Sequence, residues 1–296
     1  MQRIIYAFRF INACFSLAKK YPRLRKPWFY LWMGGISLTI LWFVPLGAVI
    51  VFLGLSPLGM ALIGSISVLL LFSLLVWGEV AALETCQAFD RLILGDPAQP
   101  EPEMQRSQFH RWQDVFLWML SLPGLEVIRL FRKTFRSQKA ANLDWLGASY
   151  LMLPVLSLED LSQRDATARI KQLLQDHLLR FHPDLVGISP VVGVTQWFLF
   201  LAGGMLGFWV GLLLADPVTD AMLSRLLAAI IGFMLAGVLA TLGIFFSSFS
   251  RACYYTTLYH WALGVETARN SGDPDLGRPP AILSQVMRKT TPSKKE

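Results

Sequence analysis

The 296 residues are 54% hydrophobic and only 16% charged, with a mean hydropathy of +0.47 and 10 tryptophans. A soluble domain carries about 25% charged residues, so this balance, with its apolar residues in blocks, argues against a soluble class and for a membrane protein. The net charge of +7 is uneven: 7 basic and no acidic residues in the first 27 positions, 12 basic and 14 acidic across Glu79–Pro190, then 7 and 4 from Arg251 onward.

Residues 2–20 follow a helical period of about 100° per residue. Gln2, Arg9, Asn12, Ser16, Lys19 and Lys20 share one sector, with Ile5 the one apolar residue among them, and apolar side chains from Ile4 to Leu17 fill the rest. This predicts an amphipathic helix in the headgroup plane, its polar stripe toward water; the rival arrangement is a helix packed on the protein's own core. Arg23, Arg25 and Lys26 follow, and with Arg9, Lys19 and Lys20 they are the candidate contacts to anionic headgroups. The basic start and the lack of a small-residue cleavage motif argue against a signal peptide.

Four apolar runs have the length of a membrane helix. The first, Trp28–Gly54, opens with aromatic residues at interfacial depth and contains Pro45. The second covers Met60–Gly78 and continues as a helix past Glu79 and Glu84 to a stop at Gly95-Asp96-Pro97. The third and fourth are Val191–Ala215 and Leu226–Ser250, the fourth running on to Gly272-Asp273-Pro274. Two similar hairpins hint at a parallel repeat. Basic flanks beside the runs place both termini and the central stretch in the cytoplasm.

Between the hairpins, Trp112–Phe131 and Leu143–Leu158 are strongly apolar yet shorter than the roughly 20 residues a crossing needs. An interfacial or half-inserted position is the expectation, and a buried helical core is the alternative. The expected organisation is therefore all-α: a basic arm (1–27), a first hairpin with its extension (28–94), a cytoplasmic or interfacial region (95–190), a second hairpin with its extension (191–272) and a disordered basic tail (273–296).

Gly203, Gly207 and Gly211 recur every four residues in the third run, and Gly232, Ala236 and Ala240 do so in the fourth. Small residues at this spacing let helix backbones approach closely. They predict a packing seam, either within the second hairpin or between copies; a permeation path is the sharper alternative, weakened because no ionisable residue lies inside the four runs. Glu79, Glu84, Glu159, Asp160, Arg251 and His260 flank the runs, where charges pair at a rim or mark a boundary.

His110, His177, His182 and His260 have no metal-ligand spacing, and no nucleophile motif or phosphate-binding loop is present. No catalytic residue, metal or cofactor is expected. Cys14, Cys86 and Cys253 are far apart, lack a CxxC pair and read as small buried hydrophobes in a reducing compartment. Nucleic acid is not an expected partner, because no aromatic-plus-basic recognition motif accompanies the charge.

Ile170–Gly187 resembles the second helix and loop of the J domain of Hsp70 co-chaperones. Ile170, Lys171, Phe181 and the tripeptide His182-Pro183-Asp184 carry the likeness, which implies a partner contact at the tripeptide. The helix departs from that family at Gln172, Gln175 and Asp176, where the family is basic, and no third helix follows. A broader likeness rests on YAFRFINACFSLAKKYP, AFDRLILGDP, ASYLMLPVLSLEDL, the helix from Ala166 to Arg180 and LYHWALG. These segments are similar to a bacterial integral membrane family known as a domain of unknown function, which implies a helical fold with membrane hairpins around a Pro-Val-rich apolar block. The expected role is a non-catalytic scaffold or assembly partner that works through the bilayer and through a second copy or another membrane protein. A small-solute or ion transporter and a membrane-tethered Hsp70-recruiting protein are the alternatives.

Overall fold

The computed structural model describes residues 2–54, 56–93, 151–159, 161–175, 188–214 and 221–288. Among these every regular element is a helix: α1 Gln2–Lys20, α2 Lys26–Leu53, α3 Pro57–Ile93, α4 Met152–Leu158, α5 Gln163–Gln175, α6 Ile188–Leu214, α7 Ala221–Ser271 and α8 Ala281–Arg288, with 3-10 turns at Pro22–Arg25 and Pro274–Gly277. Three helical stretches are long and apolar enough to cross a membrane: Pro22–Leu53, Pro57–Ile93 and Ile231–Ser271. Val191–Gly207, within α6, is a shorter apolar stretch.

The chain forms two compact units, and the division cuts through α3 and α7 rather than falling between hairpins. Both run-on helices do form. α7 ends where the sequence indicates, at Gly272, whose φ of +74° is a left-handed backbone that glycine adopts without a Cβ penalty.

The first unit comprises Arg25–Ala81 and Val192–Phe249, and α7 is its central helix. Against α2 it places Gly237 opposite Thr39 and Thr241 opposite Gly35, an antiparallel arrangement in which a Cβ on either glycine would overlap a threonine methyl. Both hydroxyls donate to their own helices, Thr39 to the Gly35 carbonyl and Thr241 to the Gly237 carbonyl, each at 2.8 Å. The apolar methyls are thereby left to pack, and both hydroxyls keep an acceptor. Against α3, Gly78 lies under Ile244 and Ser248, and Leu70, Leu74, Ala240 and Ile244 form a buried cluster flanked by Leu38, Trp42 and Phe233. Gly34 leaves room for the Trp77 indole, whose Nε1 donates to the Leu31 and Tyr30 carbonyls at 3.2 and 3.3 Å. Outward, Phe52, Val68, Val194, Phe198 and Leu213 are well exposed, an apolar surface far beyond what a soluble monomer shows.

The second unit comprises Met1–Leu24, Ala82–Val191 and Ser250–Glu296. Its centre is the end of α7, where every residue from Ala252 to Tyr259 is buried. A helix apolar all round must be enclosed, and Tyr254, Tyr255, Tyr259, Phe10 and Phe89 fill the space around it. α1 contributes Ala7, Phe10, Ile11, Cys14 and Ala18, one stripe of fully or nearly buried positions. Phe10 meets Tyr254 edge-on at 5.6 Å.

Three expectations are corrected here. α1 does not offer its whole apolar surface to lipid, because that stripe packs inside the unit; a helical period alone does not say what covers an apolar face. Leu151–Ser157 is buried throughout, so this part of Leu143–Leu158 is core rather than an interfacial or half-inserted piece. Its short length suits enclosure by protein, which satisfies apolar side chains as lipid would. The region from 273 is not a disordered tail as far as Arg288: Asp273 caps the 3-10 turn through Asp275 N–H at 2.9 Å, Leu283 of α8 is fully buried, and α8 packs on α1. Trp112–Phe131 and the Gly95-Asp96-Pro97 stop lie outside the described residues.

Candidate functional site

The charged groups that flank the apolar helices converge, in the second unit, on the last turns of α7. Glu159 closes α4 and follows its last turn, where the helix dipole disfavours a carboxylate. Two donors offset this. The Tyr259 hydroxyl donates to Glu159 Oε1, and Arg169 Nε lies 3.5 Å from the same oxygen. Ser162 starts α5 as a cap: its hydroxyl donates to Asp165 Oδ2 at 2.7 Å and accepts the Asp165 N–H at 3.3 Å. One turn further on, Arg169 forms a two-pronged pair with Glu266, Nη1 to Oε1 at 3.0 Å and Nη2 to Oε2 at 2.6 Å.

The electrostatics follow from this geometry. The hydrogen bond from Arg169 holds the Glu266 carboxyl below its ordinary value, and the same bond holds the guanidinium still more firmly protonated. Burial, then the Glu159 carboxylate, pushes the Tyr259 phenol up, so Tyr259 remains a donor throughout the physiological range. One residue along, His260 pairs through Nε2 with Asp90 Oδ1 of α3. Tyr259, His260 and Glu266 thus join the ends of α3 and α4 and the start of α5 to one helix.

Of the rim residues singled out from sequence, Glu159 and His260 belong to this network. Glu84 is exposed, Glu79 lies in the other unit, Arg251 is half-buried, and Asp160 is outside the described residues. Asp90, Arg169, Tyr259 and Glu266 were missed. The His260–Asp90 separation of 170 residues leaves no local signal, whereas the capping pattern Ser162-x-x-Asp165 marked the helix that carries Arg169.

The three cysteines, scattered in sequence, are brought together. All are free and fully buried. Cys253 adjoins Cys14, with Cys86 nearby, and Cys86 Sγ is 3.9 Å from the Ala252 carbonyl oxygen. Burial pushes the Cys253 thiol well above its ordinary value, which keeps it in the unreactive neutral form. Among the described residues no group of three or more His, Cys, Asp or Glu is placed to hold a metal.

In the first unit, a Cβ on Gly203 would stand 2.9 Å from Leu239 Cβ and 3.3 Å from Ala236 Cα. One on Gly207 would overlap the Gly232 carbonyl oxygen and lie 2.9 Å from its carbon. The α6–α7 approach continues at Gly243, which faces Gln196 and Leu199 and was not anticipated. Ala240 instead faces Leu70 and Leu74, and the surroundings of Gly211 are outside the described side chains. Arg9, Lys19, Lys20, Arg23, Arg25 and Lys26 are all exposed. His182, Pro183 and Asp184 lie outside the described residues. No family model, curated protein or solved structure matches the chain.

Proposed function

We propose that this chain is a non-catalytic, multi-pass protein of the bacterial cytoplasmic membrane that serves as a scaffold or assembly partner, with both termini on the cytoplasmic side. In this reading α2, α3, α6 and α7 supply four spans in two hairpins. The observation that carries it is the way the charged groups of the second unit are used: Asp90, Glu159, Arg169, Tyr259, His260 and Glu266 are paired with one another across four helices. Groups matched in this way hold helices in fixed positions, as a presenting platform requires. They are not poised as nucleophile and base around an open position, as catalysis requires. The small-residue seams around α7 favour the same reading, because they fill the space between helices with backbone and methyl groups.

The test is purification of the full chain in mild detergent and, separately, in polymer-excised native bilayer. Mass by light scattering should show either self-association or a stoichiometric protein component. A monomer without such a component in both preparations would overturn the scaffold reading.

A further inference from the structure

The outer edge of α1 is unaccounted for by the packing of its inner stripe. Ile4 is 49% exposed and Phe8 is 55% exposed, and at about 100° per residue they lie together between the buried stripe of Ala7, Phe10, Ile11, Cys14 and Ala18 and the polar sector, within which the exposed Ile5 falls. Lys19 continues this flank at the C-terminal turn, with Lys20 beside it in the same turn. No acidic residue occurs anywhere in the first 27 positions. Exposed Ile and Phe beside Lys and Arg, with no negative charge, complement a surface with an apolar layer beneath a negative one.

Chain connectivity adds a second argument. Lys20 precedes Phe29 by nine residues. Phe29, Tyr30 and Trp32 at the start of α2 are exposed aromatic side chains, of the kind that settle at headgroup depth. A chain extends at most about 3.3–3.6 Å per residue, and most of this connection is helical and far shorter. The C-terminal end of α1 is therefore joined to that aromatic segment by a short connection.

We infer that α1 is a two-faced helix, held by its inner stripe in the protein and seated by Ile4 and Phe8 in an anionic phospholipid leaflet, with Lys19 and Lys20 at the headgroups. This rests on the membrane reading above and adds the lipid class. Its effect is to fix the second unit to the leaflet through a lateral contact separate from the spans.

The test uses the full chain in nanodiscs of phosphatidylcholine, with and without phosphatidylglycerol. Because Cys14, Cys86 and Cys253 are buried, single added cysteines at Ile4, Phe8, Arg9 and Ser16 accept a nitroxide selectively. The expected result is relaxation at positions 4 and 8 dominated by dissolved oxygen and at 9 and 16 by a water-soluble nickel chelate. The contrast should grow when phosphatidylglycerol is added and shrink in K19Q/K20Q. Nickel-dominated relaxation at 4 and 8 in both lipids would overturn the proposal, as would an immobilised label that neither reagent reaches, which indicates protein on this edge. A label at Phe198, exposed on α6, separates the two readings: oxygen access there leaves the membrane assignment standing when the α1 edge fails.

Discussion

Replacing Gly207 with alanine asks whether the α6–α7 approach holds the first unit together. The added Cβ would overlap the Gly232 carbonyl oxygen and stand 2.9 and 3.0 Å from its carbonyl carbon and Cα. These are backbone atoms of a helix, so no rotamer change relieves them and the two axes must separate. Ordinary contact begins near 3.4 Å, and opening such a seam by about 0.5–1 Å forfeits a quarter to a half of each carbon–carbon attraction. With on the order of thirty such pairs at about 0.1–0.2 kcal/mol each, the loss is about 1–3 kcal/mol, the usual range for overpacking. Gly204, three residues earlier, has nothing within 4 Å of an added Cβ, and G204A supplies a control with the same gain in helix propensity. Reversible unfolding by dodecyl sulfate in mixed micelles, followed by tryptophan fluorescence, should rank G204A at or above wild type and G207A below both. Equal stability of the two variants would refute the close-packed seam.

Three other outcomes follow from the described contacts. Glu266 titrates below its ordinary value of 4.5, so the stabilisation from its pair with Arg169 is complete above that pH and is lost as the pH falls through the lowered folded value; E266Q should cost about 1–2 kcal/mol at neutral pH and flatten the acid dependence of thermal unfolding below pH 4.5. W77F removes the indole N–H that serves the Tyr30 and Leu31 carbonyls and should lower stability by about 0.5–1.5 kcal/mol in the same micelle assay. Native protein should resist a maleimide-polymer reagent, and denatured protein should take up one label at each of Cys14, Cys86 and Cys253; rapid labelling of the folded protein would mean that α1 does not stay docked.

Local signals were legible where a physical rule acts over a few residues. Gly272 stops α7 as glycine followed by Asp-Pro should, and the four-residue spacing of Gly203 and Gly207 located a surface that meets Gly232 and Ala236. What the sequence hid were the surroundings. Leu151–Leu158 is apolar on all sides, and protein and lipid interiors select the same composition, so its burial in the second unit could not be read. The seam between α2 and α7 was missed because Thr39 and Thr241 count as polar. Their hydroxyls turn back on their own helices, and the faces they present are methyls. Ala281-Ile282-Leu283 was the apolar signal inside a basic, proline-containing tail, and it marks α8. Glu159 and His260 were legible as rim charges, but their pairings with Tyr259 and Asp90, and that of Arg169 with Glu266, were not, since the partners lie 97 to 170 residues apart.

The way the second unit is assembled sets the order in which it can be made. Phe10 of α1 packs on Tyr254, and α1 also packs on α8, so α1 finds these partners only after α7 and α8 have been synthesised. At about 5–20 residues per second, the roughly 240 residues between Phe10 and Tyr254 take about 12–50 s to translate. For that interval the stripe of Ala7, Phe10, Ile11, Cys14 and Ala18 has no core to enter, and its cysteine is open to solvent chemistry. α1 is thus made well before the helices that enclose it, and its exposed period scales inversely with the speed of the ribosome.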